Sequence, residues 1–220
     1  MENREVLKSL KKNRRGGVLV RRGQSGTALL EFAIIFPVLA AMIFGVLEFG
    51  FVMRDQITLA NASRTAARVE SVAGSQIKTA DYQALLAITG AIDKEVDHVN
   101  WVVIFKPNDN GDMVPQCKAF QPVHDQCNVY TGAFINPKSG TLTQDSFGKC
   151  QALGDNVNND QSWFPETRQD VPDSGGLTST IGVYVQYTHS LITGMYGKSK
   201  TLSTKTVMHF EPHVTAGSYC

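Results

Sequence analysis

Charge of either sign is scarce in this 220-residue chain: Asp, Glu, Lys and Arg make up 19 % of it, and the formal net charge is +1. So small a surplus excludes the broad positive field that non-specific nucleic-acid binding needs. No basic stripe interleaved with aromatics replaces it, so nucleic acid is not an expected partner. There is no phosphate loop and no dinucleotide fingerprint. The four cysteines form no Cys-x-x-Cys pair, which weighs against a zinc ribbon or a thioredoxin-type motif. Asp173-Ser174-Gly175-Gly176 approaches a protease nucleophile loop, but Pro172 stands where a glycine is needed and no histidine has a matching context. A turn built on two glycines explains it better. His209 and His213 are separated by Pro212, so they are no helical metal pair. The acids and Gly111 of Pro107–Asp112 lack the glutamate that would complete a calcium loop. The expectation is a protein with no catalytic residues, no cofactor and no metal.

What the chain does have is an asymmetry. Arg4, Lys8, Lys11, Lys12, Arg14, Arg15, Arg21 and Arg22 precede Gly26, against only Glu2 and Glu5, and a long apolar run follows at once. Thr27 to Met53 reads TALLEFAIIFPVLAAMIFGVLEFGFVM. About 20 apolar residues cross a bilayer core of about 30 Å. The run exceeds the about 7–15 apolar residues of a cleaved secretory signal, and no Ala-x-Ala-like site closes it. It is read as a retained transmembrane helix with residues 1–26 as a basic cytoplasmic leader, which places everything after Arg54 across the membrane. Pro37 should bend the helix. Ala41 and Gly45, four apart, offer a small-residue surface to another helix, or reflect only the abundance of small residues in membrane helices. Glu31 is costly so near lipid. It is either a first-turn acid facing the positive helix end or a group with a partner.

Beyond the membrane the helical pattern continues without Gly or Pro to about Val72, with Arg64 and Arg68 on one face, solvated or in contact with headgroups or an acidic partner. Thr79-Ala80-Asp81 reads as the cap of a second helix ending near Ile92, so residues 54–95 form a helical stalk and second helix. Residues 96–220 read as an exported β-rich domain. Strands are expected at His98–Lys106, Thr178–Thr188 and Lys200–Phe210, with a loop-rich insertion at about 107–177. Alternation of Ile181, Val183, Val185 and Tyr187 turns one apolar face inward, onto the long helix. The fold class is α+β. Cys117, Cys127, Cys150 and Cys220 all lie on the exported side, where up to two disulfides in three possible connectivities are expected, free or metal-bound thiols being the alternative, and Cys117 with Cys127 is the expected local pairing.

Several motifs fall in order along the first third of the chain. Arg21-Arg22-Gly23-Gln24-Ser25-Gly26 leads into Thr27-Ala28-Leu29-Leu30-Glu31-Phe32, with Glu31 five residues past Gly26. Phe36-Pro37 and Gly45-Val46-Leu47-Glu48-Phe49-Gly50 come next, then Asn61-Ala62-Ser63-Arg64-Thr65-Ala66-Ala67-Arg68. This resembles the class III signal of type IV pilins and, more specifically, the TadE-like family of tight-adherence pilus assembly pseudopilins. The specific resemblance covers Gly23 to about Val69. It implies cleavage between Gly26 and Thr27 by a prepilin peptidase, with Glu31 and its neighbour Phe32 at the new N-terminus and Glu31 pairing with the freed amine. Asn61, Arg64 and Arg68 correspond to the family's motif after the membrane. The implied partners are the inner membrane, the peptidase, other pilin or pseudopilin subunits and the assembly platform.

The leading expectation is therefore a pseudopilin-like component of a tight-adherence pilus and secretion system, single-pass in the bacterial inner membrane, N-terminus cytoplasmic and C-terminal domain periplasmic or extracellular. The alternative is a single-pass envelope protein displaying a disulfide-bonded binding or adhesion domain. A membrane-tethered exported enzyme is disfavoured by the missing catalytic constellation.

Overall fold

A computed structural model describes residues 25–148, 162–168, 179–194 and 197–212. Its first element, α1, is a helix of 49 residues, Ser25–Ala73, with Pro37 inside it. No glycine or proline after Gly50 interrupts the helical run until Gly74, whose positive φ of 51° ends it at little steric cost. The chain divides between Val46 and Leu47 into two units. In the first, α1 is apolar on every side and open: Leu29, Ile34, Met42 and Val46 are 67–73 % exposed. An 18-residue window of this helix has a mean hydropathy of 2.4 with none of it buried, so it is long and apolar enough to cross a membrane.

The second unit is a small α+β domain. A second helix, α2 (Ala80–Ile92), leads through a 3-10 turn (Asp93–His98) into β1 (Val99–Phe105). Then come β2 (Cys127–Thr131), β3 (Thr180–Ser190) and β4 (Ser199–His209). The sheet order is β2-β1-β3-β4, with every neighbouring pair antiparallel. β1, β3 and β4 lie where β-branched and aromatic residues predict strands. β2 is an addition, since it falls within the stretch expected to be loop. It is only five residues long and gains its place from pairing with β1 (Val103 opposite Val129).

Because side chains alternate across a strand, β1 faces two cores. Val102 and Ile104 join Ile181, Val183, Val185 and Tyr187 against Leu59, Ala62, Ala66 and Ala67 of α1 and Ala84, Leu85 and Ile88 of α2. This is the face the alternation in β3 turns toward the long helix. Val103 and Phe105 point the other way, to Met113, Cys117 and Cys127. The alanines on α1 let its backbone lie close to the sheet. At Gly182 a Cβ would come within 2.3 Å of the Phe105 ring, so the glycine leaves room for the aromatic that fills this second core. The Cys117–Cys127 disulfide, with Cα atoms 6.3 Å apart, staples the loop that covers it.

Candidate functional site

The residues singled out at the N-terminal end of α1 fall on its first two turns. Gly26 and Thr27 are exposed and helical, and a Cβ built at Gly26 meets nothing within 4 Å. Glu31 and Phe32 are exposed, with the Phe32 ring 5.2 Å from that of Phe36, one turn on. Ala41 and Gly45 share a half-exposed face. From Phe32 to Leu47 no charged side chain interrupts the apolar surface. The leader before Ser25 lies outside the described residues.

The stretch after the apolar run is two-faced. Ala62, Ser63, Ala66, Ala67 and Glu70 are buried against the domain, while Asn61, Arg64, Thr65 and Arg68 are exposed. Positions 61, 64 and 68 follow the three- and four-residue spacing of one helix face, so the motif presents an amide and two guanidinium groups together. Among the described residues neither arginine has an ion-pair partner.

On the packed side, polar ties join α1 to the β3–β4 hairpin at intervals of about two turns. Glu48, only 4 % exposed, accepts from the Thr193 amide at 3.1 Å and the Thr193 hydroxyl at 2.7 Å. Asp55 meets His189 Nδ1 at 2.6 Å, and Gln56 donates to the Ser203 carbonyl. Ser63 Oγ lies 2.8 Å from Thr206 Oγ1, and the Glu211 amide donates to the Ser71 carbonyl. These ties fix which face of α1 meets the sheet, and so which face stays outward.

A buried charge cluster locks α1 to α2. Arg168 donates from Nη1 to Glu70 at 2.6 Å and from Nη2 to Asp81 at 2.5 Å, all three side chains being fully buried. Asp81 also accepts from Asn128 Nδ2 at 2.8 Å and from the Tyr130 hydroxyl at 2.6 Å, and the guanidinium lies 4.5 Å above the Trp163 ring. Burial pulls the Arg168 pKa down, but Asp81 and then Glu70 outweigh it and hold the guanidinium above the ordinary arginine range. Asp81 therefore does not cap α2 as a first-turn acid facing solvent. It turns inward, and Thr79 stands at the cap without a side-chain hydrogen bond. Sequence reasoning missed this cluster. Its arginine sits in a loop-rich stretch with no pattern around it, and only the burial of two acids on helical faces would have pointed there.

Cys117 and Cys127 form the expected local disulfide. Cys150 and Cys220, the Asp173–Gly176 turn and His213 lie outside the described residues. In the Pro107–Asp112 turn, Lys205 Nζ donates to the Gly111 carbonyl at 2.8 Å and to Asp112 Oδ1 at 2.6 Å, and the second contact holds the Asp112 carboxyl below its usual range. Among the described residues no group of three or more His, Cys, Asp or Glu side chains is placed to hold a metal.

Comparison with known proteins adds one result. No curated protein and no solved structure matches the chain. A family model described as TadE-like protein matches residues 26–68. That span covers the apolar helix from the candidate cleavage glycine through the Asn61–Arg68 face, the same stretch that carries the sequence resemblance. It supports a pseudopilin-like role related to the Tad pilus. Over these residues the chain is similar to TadE-like proteins.

Proposed function

We infer that this protein is a pseudopilin-like subunit of a tight-adherence pilus assembly and secretion machinery, processed after Gly26 and acting by helix packing rather than by catalysis. The observation that carries the reading is the lone carboxylate of Glu31, five residues past Gly26 on an otherwise uninterrupted apolar helix, within the TadE-like span. Packing does not account for the glycine at 26, since a side chain there would meet open space. A prepilin peptidase does account for it, because a residue without a side chain fits an extended peptide into a protease cleft.

Cleavage leaves a free ammonium at Thr27, about one turn from Glu31 along the helix. In lipid neither charge is stable alone, so the carboxylate pairs with the amine of its own chain or of a neighbouring subunit. The pair gains strongly in low dielectric but loses much of that to desolvation, so it specifies register better than affinity. Ala41 and Gly45 supply the close-approach surface for a second helix. The basic leader places the N-terminus in the cytoplasm and the α+β domain across the inner membrane. The assembly platform and other pilin subunits are the partners, with Arg64 and Arg68 turned outward toward acidic groups.

Glu31→Ala is the direct test. The variant should insert and fold as wild type, since the Glu31 side chain is exposed, yet lose co-purification with the other pilus subunits from detergent-solubilised membranes. Undiminished co-purification and pilus formation would remove Glu31 from the mechanism.

A further inference from the structure

The geometry points to a second membrane contact: the tip of the β3–β4 hairpin, around Leu191–Gly194, rests in the lipid interface, held there by Glu48. This rests on the reading of α1 as a membrane helix. From Thr27 to Leu47 there are 21 residues, which at 1.5 Å each reach about 32 Å, the thickness of the hydrocarbon core. Counted from Thr27 that thickness is crossed by Leu47, so Glu48 arrives at the far interface and the rest of the apolar run, to Met53, lies in the interfacial layer. A bare carboxylate is costly at that depth. It is not bare, because the Thr193 amide and hydroxyl both donate to it.

That tie brings the hairpin down to the same level. β3 starts near the distal end of α1, where the Phe210 amide donates to the Ser179 carbonyl and the Glu211 amide to the Ser71 carbonyl. It ends beside Glu48, so its tip is its membrane-facing end. At the tip Ile192 is 74 % exposed, the highest value among the large exposed apolar side chains, and Phe49 next to Glu48 is 64 % exposed. An isoleucine so open, one residue from the Thr193 that holds Glu48, fits the acyl chains just below the headgroups. The polar groups follow the same order. Arg54 and, opposite His189 in the ladder, Lys200 are exposed at the level of Asp55. Seven residues beyond Glu48 along α1 is about 10 Å, at the outer edge of the headgroup layer, from which long cationic side chains reach back to the lipid phosphates. The occupant is thus the bilayer surface, and the domain sits against it at two points instead of hanging from one helix.

Tryptophan quenching by brominated lipid tests this on the full chain in vesicles of phosphatidylethanolamine and phosphatidylglycerol. Trp101 and Trp163 belong to the domain and give the wild-type baseline. Ile192→Trp should add emission that lipid brominated near the headgroup quenches several-fold more than the baseline. Leu39→Trp should be quenched best by lipid brominated near the chain end. If Leu39→Trp is quenched and Ile192→Trp is not, the hairpin is in water and this inference fails while the membrane reading stands. If neither is quenched, both fail.

Discussion

The two halves of α1 have the same secondary structure and opposite surroundings. Up to Val46 its large apolar side chains are mostly more than half exposed, and none of residues 26–46 is buried. From Leu47 onward one face is lined by Leu59, Ala62, Ser63, Ala66, Ala67 and Glu70, all at or near zero exposure. A helix apolar all round needs an apolar solvent, whereas a helix with one small-residue stripe needs a sheet to lie on. The same propensity thus builds an anchor in one half and a core element in the other. What separates them is the side-chain pattern around the axis.

The comparison is broken most severely by removing the guanidinium that ties α1 to α2. Arg168→Ala leaves Glu70 and Asp81 buried without a counter-charge, and should cost about 3–5 kcal/mol in denaturant unfolding of the domain. Insertion of the apolar half should be unaffected. Replacing Cys117 and Cys127 together by serine opens a loop of 10-residue separation on the far face of the sheet, a loss of about 2–3 kcal/mol on chain entropy. A matched pair of substitutions sharpens the contrast. Ala66→Leu overfills the helix–sheet contact and should destabilise the domain by about 1–3 kcal/mol. Ala41→Leu should leave the unfolding midpoint unchanged but weaken subunit association in detergent extracts.

The smallest effect is expected with acid. The Lys138 ammonium and Asn136 hold the Asp97 carboxyl below its usual range, as Lys205 does for Asp112. Depressed folded values mean that this stabilisation is complete above about pH 4, the unfolded aspartate value, and fades as pH falls below it. Asp97→Asn should therefore flatten, slightly, the fall in melting temperature between pH 4 and 3.

How much of this was legible follows the same division. The long helix could be read because the apolar run carries on past Pro37 to Met53 and no Gly or Pro follows it until Gly74, and β3 because Ile181, Val183, Val185 and Tyr187 alternate. β2 could not. Cys127–Thr131 is short, polar at Asn128 and set among turn residues, and only the β1 edge makes it a strand. Asp81 was misjudged for a related reason. Its place in the first turn, two residues after Thr79, suits a cap, but an arginine 87 residues away outweighs that local preference. Of the candidate site, the Gly26–Phe32 and Asn61–Arg68 stretches were found because they recur in a family. Glu48 was noticed only as part of a motif, since its partner Thr193 is 145 residues distant.

The central claim is that the anchor half begins at a new N-terminus made next to Glu31. Edman or mass-spectrometric sequencing of the protein extracted from membranes of cells that contain a prepilin peptidase measures this directly. The predicted first residue is Thr27. Functional protein that still carries residues ahead of Thr27 in such cells would contradict the account.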